Sequence, residues 1–130
     1  MEQSIDVAFP SASQVSATVG RHVIISENPG AVDIPEYPSP FELFLASIVS
    51  CAASYARGFC LARKLSTAGL HLSMAYERTP DKPEIKWLEL RLQLPEGFPE
   101  KYRAGILRAI DQCAVKKNIL VPPAFKIVVG

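Results

Sequence analysis

SPFELFLASIVSCAASYARGFC, Ser39 to Cys60, is the stretch whose reading decides the fold. Ser39 is a strong helix N-cap, Pro40 suits the first helical position, and Glu42 falls three residues after the cap. That is a capping box, in which the serine and the glutamate each satisfy an orphan amide. A helix is therefore expected from Ser39 to about Leu65, with Gly58 a candidate bend. Its apolar character on nearly all sides makes it central and buried. Arg57, Arg63 and Lys64 mark where it emerges. Cys51 lies three turns inside, flanked by small residues. It is either core filler or a reactive group in a dry pocket.

Outward from this helix the chain alternates strands and turns. Ser4–Phe9, Gln14–Val19 and Arg21–Ser26 read as three strands, the last two joined through Gly20 as a hairpin. Asn28-Pro29-Gly30 is a turn, and 32–40 is a proline-bearing loop. After the helix, Leu70–Glu77 and Glu84–Leu94 alternate apolar and polar residues, as an antiparallel pair with a half-exposed face does. A second helix is expected from about Pro99 to Asn118, with Tyr102, Ile106, Ile110 and Cys113 on its apolar stripe. Pro122-Pro123 ends it, and Ala124–Val129 reads as a final strand. The order βββ–α–ββ–α–β makes an α+β fold of antiparallel sheet and two long helices. Residues 1–130 are read as a single domain.

Composition narrows the function classes. The formal net charge is +1 with no long basic run, so nucleic acid is not an expected partner. The N-terminal stretch shows no signal-peptide pattern. The most apolar run, about Leu43–Ala56, falls short of the ~20 residues that cross a bilayer, so no membrane association is expected. A cytoplasmic protein with free thiols is the default, since three cysteines do not make a secreted disulfide framework. His22 and His71 lie far apart and no Cys-x-x-Cys exists, so no metal is expected.

The thiols carry the chemistry. A free thiol has a pKa of about 8.5, and burial raises it. Cys51 is too deep in its helix to gain from the dipole at the helix start. A lowering of ~2 units needs roughly 2.7 kcal/mol of preference for the thiolate. Arg21, at the head of an apolar strand, is the preferred candidate source, although from the residues alone an ordinary exposed hairpin arginine is the more common case. Cys113 faces the same core and is a candidate partner for an oxidised Cys51, since a sulfenic acid condenses with a nearby thiol. The competing reading is two inert core cysteines, a common residue type there. Cys60 is nine residues from Cys51, half a turn around the helix, and reads as packing only.

The stretch SPFELFLASIVSC together with DQCAVKKNI resembles the OsmC/Ohr family of thiol-dependent hydroperoxide reductases. Cys51 and Cys113 fall on the two family cysteines, and the likeness spans nearly the whole chain. Ala114 stands where the family often has proline. The resemblance implies an intertwined homodimer, a peroxidatic Cys51, a resolving Cys113, and a helper arginine near Arg21. It also implies an organic hydroperoxide substrate, a dithiol reductant and no cofactor. Phe41 occupies the position of the family's catalytic glutamate, with Glu42 adjacent and occupied by capping. Phe41, Phe44, Ile48 and Tyr55 are the expected apolar lining of the substrate pocket. The alternative is a catalytically weak dimer that binds an apolar ligand, carries sulfur or senses oxidants slowly.

Overall fold

Three strands open the chain in the computed structural model, which describes all residues from Met1 to Gly130. They are β1 (Asp6–Ala8), β2 (Gln14–Val19) and β3 (His22–Glu27), in the antiparallel order β1-β2-β3. Gly20 turns the β2–β3 hairpin with φ +60°, a conformation glycine adopts without cost. Helix α1 (Pro40–Ala62) follows. A two-stranded antiparallel sheet comes next, β4 (His71–Arg78) with β5 (Ile85–Gln93). A 3-10 turn at Glu100–Tyr102, helix α2 (Arg103–Asp111) and helix α3 (Ala114–Leu120) complete the elements. The chain divides into two compact units, Met1–Ala46 and Ser47–Gly130.

The N-terminal unit is held together by a buried carboxylate. Glu27, at the end of β3, accepts hydrogen bonds from the Ser13 hydroxyl at 2.9 Å and from the amides of Glu36 and Tyr37, the latter at 3.1 Å. Its own amide donates to the Pro38 carbonyl at 3.0 Å. The proline-bearing loop is thus pinned to the sheet before α1 begins. Burial works to raise the Glu27 pKa, but the Ser13 hydroxyl and the two amides outweigh it and hold the group below its ordinary value. Glu27 was not anticipated, because a strand-end glutamate usually points to solvent.

The start of α1 matches its sequence signature. The Ser39 hydroxyl accepts from the Glu42 amide at 3.1 Å, and the Glu42 carboxylate accepts from the Ser39 amide at 2.9 Å. The helix then runs 23 residues, unbroken through Gly58, long and apolar enough by composition to span a bilayer. One-third of its most apolar stretch is buried within the chain. In the C-terminal unit Ala52, Ala56, Phe59 and Cys60 join Ile106 and Ile110 of α2 in one core. Leu72, Leu90 and Leu92 of the β4–β5 sheet pack against it.

Gly105 sets the approach of α2 to α1. A Cβ there would lie 2.9 Å from the Phe59 ring. That ring cannot swing aside freely, because Tyr102 packs edge-on at 5.9 Å and the Arg63 guanidinium covers it at 3.7 Å.

Two expectations are corrected. The helix expected over 99–118 is broken into α2 and α3 at Gln112–Cys113, where Cys113 takes an extended backbone, φ −50° and ψ 126°. The strand expected at Ala124–Val129 is not formed; Phe125, Ile127 and Val129 are 89%, 92% and 95% exposed. A strand needs a ladder, and this segment has none.

Two stability predictions follow from these contacts. Gly105→Ala should lower stability by about 1 kcal/mol, the overpacking penalty exceeding the helix-propensity gain, as read by denaturant unfolding. The Glu27 contribution is complete above the ordinary glutamate pKa and fades as pH falls through the lowered folded value. Glu27→Gln should therefore lower the melting temperature at neutral pH and narrow its gap to wild type on acidification.

Candidate functional site

Cys51 and Cys113 are brought together by α1 and by the break between α2 and α3. All three cysteines are free thiols, Cys51 partly exposed, Cys60 and Cys113 buried. The break is a local consequence of backbone bonding. The Gln112 and Cys113 amides still donate back to Ala109 and Ile110, each at 3.1 Å, while the Cys113 carbonyl accepts from the Lys117 amide at 3.0 Å and starts a new helix. Cys113 is therefore the N-cap of α3. The first amides of a helix have no partner within it. Here those of Ala114 and Val115 lower the Cys51 pKa, and those of Val115 and Lys116 act in the same direction on Cys113.

This geometry separates the two thiols electrostatically. The hydrogen bond from the Cys113 thiol is the largest influence on Cys51, and the Val115 and Ala114 amides add to it. Together they overcome burial and hold Cys51 below the ordinary thiol range. Cys113 moves the other way. Its burial, the hydrogen bond it shares with Cys51 and the Cys51 charge all push it up, against the Lys116 and Val115 amides. Of the two, Cys51 is therefore the readier to ionise and Cys113 the readier to keep its proton. Cys60 is fully buried in the core, and burial pushes its thiol up despite the nearby charge of Arg63.

An apolar cavity of about 390 Å³ adjoins Cys113. Ile48, Ala52, Leu90, Ile110 and Ile119 line it, Cys113 forms part of its wall, and Asp111 with Lys116 supplies its polar edge as an ion pair. A second, more open cleft of about 590 Å³ runs between α1 and α2, lined by Ser54, Tyr55, Arg108 and Gln112 among others. The four residues expected to form one pocket are thus distributed. Ile48 lines the cavity beside Cys113, and Tyr55 lines the cleft. Phe41 and Phe44 pair with each other on the first turns of α1, ring centroids 5.8 Å apart, within the N-terminal unit. Arg21 is exposed at the tip of the β2–β3 hairpin, in that same unit.

The α3 amides were missed by sequence reasoning, which ran one helix through Cys113. A signal was available. Proline is favoured at the first position of a helix. A family habit of proline at the position of Ala114 marks a helix start immediately after the cysteine.

Comparison with known proteins agrees with this architecture. The family model described as OsmC-like protein matches residues 33–128. The chain belongs to the OsmC-like family. No curated protein matches the sequence. Among solved structures, it is similar to a candidate osmotic stress induced and detoxification response protein from Psychrobacter arcticus 273-4. The TM-score is 0.73 at 17% identity, covering 91% of this chain and 88% of that one. It is also similar to an OsmC-like protein from Mycoplasma pneumoniae, with a TM-score of 0.68 at 12% identity, covering 92% of this chain and 88% of that one. At such identities the likeness concerns the fold.

The ordering of the three thiols is open to test. Limiting iodoacetamide at neutral pH should alkylate Cys51 well ahead of Cys113 and Cys60, as read by peptide mass spectrometry. Equal labelling of all three in the folded protein would contradict the ordering.

Proposed function

We propose that this chain is a thiol peroxidase that reduces organic hydroperoxides, with Cys51 as peroxidatic and Cys113 as resolving cysteine. The observation that carries this reading is the pairing of Cys51 with Cys113, which lowers the Cys51 pKa and raises that of Cys113. A nucleophile and a resolving thiol need those opposed shifts.

The steps balance as follows. The Cys51 thiolate attacks the terminal oxygen of the hydroperoxide, and the O–O bond breaks. The departing alkoxide takes up a proton and leaves as the alcohol, and Cys51 becomes a sulfenic acid. The Cys113 thiol then displaces hydroxide, which leaves as water with the thiol proton, and an S–S bond forms. A dithiol reductant returns both cysteines to thiols and is itself oxidised to a disulfide. The two sulfurs carry both electrons, so the cycle runs without a cofactor. An unperturbed thiol is only a few per cent ionised at neutral pH, and each unit of pKa lowering raises that fraction nearly tenfold.

The apolar cavity beside Cys113 supports an organic rather than an inorganic peroxide, because burial of an alkyl or aryl group there is favourable and water gains nothing. The detoxification role given to the Psychrobacter arcticus protein fits this chemistry. Phe41 stands in place of the family's glutamate, and the α3 amides, within the C-terminal unit, supply thiolate stabilisation instead. Arg21 is proposed as a further positive contribution, made where chains assemble into a homodimer in a reducing, cytoplasmic setting.

The test is to mix reduced protein with one equivalent of cumene hydroperoxide or of hydrogen peroxide, then map disulfides by non-reducing peptide mass spectrometry. A Cys51–Cys113 disulfide forming faster with the organic peroxide, with release of the alcohol, is the expected result. Cys51→Ser should abolish peroxide consumption. Cys113→Ala should stop at a sulfenic acid trapped by dimedone. Free thiols after several minutes with either peroxide would overturn the reading and leave a binding or sensing protein on the same fold.

A further inference from the structure

The proposed cycle leaves one proton without a donor. It starts from the Cys51 thiolate, so a proton must reach the alkoxide each time a peroxide is reduced. The Cys113 thiol proton does not serve, because it leaves with hydroxide as water in the second step. An alkoxide is a strong base and a poor leaving group, and a positioned acid beside it speeds such a step by about 100-fold or more.

The position of that acid is constrained. Displacement at oxygen is in line, so the departing oxygen lies beyond the transferred one, away from the sulfur. The donor must reach past Cys51 rather than touch it. On a helix the same-face neighbours of a residue lie three, four or seven places away. For Cys51 these are Phe44, Ser47, Ile48, Ser54, Tyr55 and Gly58, all on α1. Tyr55 alone among them carries a phenol. Phenols are protonated at neutral pH and are far stronger acids than the alcohols whose alkoxides leave. The serine hydroxyls are weaker acids on shorter side chains.

Long side chains on a helix lean back toward its N-terminus, over the residue four places earlier. The Tyr55 ring therefore leans over the turn that carries Cys51. Tyr55 and Gln112 line the same cleft of about 590 Å³, and Gln112 directly precedes Cys113. The cleft thus joins the Cys51 face of α1 to the break that holds the second thiol. Gln112 has no acidic proton to give. Asp111 and Lys116, on either side of the break, hold each other as an ion pair. Tyr55 is 38% exposed, so a proton given up there is replaced from water.

We propose that Tyr55 is a catalytic residue, the general acid that protonates the departing alkoxide as the Cys51 thiolate attacks. The S–O bond forms and the O–O bond breaks. The phenol passes its proton to the leaving oxygen, which departs as the alcohol. The tyrosinate then takes a proton back from water. This rests on the peroxidase reading and adds a group that the thiol pair does not supply.

The experiment compares Tyr55→Phe with wild type, both full-length and reduced, in single turnover with tert-butyl hydroperoxide and with peracetic acid. Loss of the Cys51 thiol is followed by rapid quench and peptide mass spectrometry. tert-Butoxide needs a proton in order to leave, and acetate does not. Tyr55→Phe should slow oxidation by tert-butyl hydroperoxide about 100-fold and leave the peracetic acid rate within about twofold of wild type. The peracid rate reports whether the variant keeps its fold and its thiolate, since a merely structural loss slows both oxidants. Equal slowing with both would make Tyr55 a packing residue and overturn the proposal. An unchanged rate with tert-butyl hydroperoxide would assign the proton to water and overturn it alone. If wild type leaves tert-butyl hydroperoxide unreduced, the peroxidase reading fails and the proposal falls with it.

Discussion

Two thiols that share a hydrogen bond cannot both be charged in a partly dry site, because like charges at that distance repel strongly. When one loses its proton, the other must keep its own. Which one does so is decided by the surroundings, and here by the break at Gln112–Cys113. The break makes Cys113 the N-cap of α3, whose first amides favour the charged form of the sulfurs. Cys113 is the more buried and holds its proton. The fold thereby assigns chemical roles to two residues of the same type.

The rest of the C-terminal unit serves to hold this pair still. α1 carries Cys51 on one side and the core residues Ala52, Ala56, Phe59 and Cys60 on another. α2 packs on that core through Ile106 and Ile110, at a distance that Gly105 permits and the Phe59 ring enforces. Small residues therefore matter twice. Gly105 lets the helices approach, and Ala52 and Ala56 fill the core between them. The β4–β5 sheet closes the core through Leu72, Leu90 and Leu92, and Leu90 also lines the cavity beside Cys113. In the N-terminal unit Glu27 has the comparable task, tying β3 to the loop that leads to the Ser39 cap.

Much of this was legible in the residues. The Ser39–Glu42 box gave the start of α1 to the residue, because capping is local chemistry. β2 through β5 followed from period-two alternation, with ends off by a residue or so where burial rather than pattern decides. The half-turn between Cys51 and Cys60 followed from helix geometry alone. The α2–α3 break was not legible from periodicity, because Ile110 and Cys113 continue the apolar stripe across it. The final strand was misjudged for the opposite reason: its pattern is correct, but a ladder requires an edge that the pattern cannot supply. Glu27 escaped notice because its worth depends on Ser13, Glu36 and Tyr37, which only the fold brings to it.

The most direct measurement is the ultraviolet thiolate absorbance of the reduced protein as a function of pH, in wild type and in Cys113→Ala. One of three thiols should ionise with a midpoint clearly below the ordinary thiol value of about 8.5, and the substitution should move that midpoint upward. A wild-type midpoint at or above the ordinary value, or one indifferent to the loss of Cys113, would contradict the account of Cys51 as a thiolate held by its neighbour and the α3 amides.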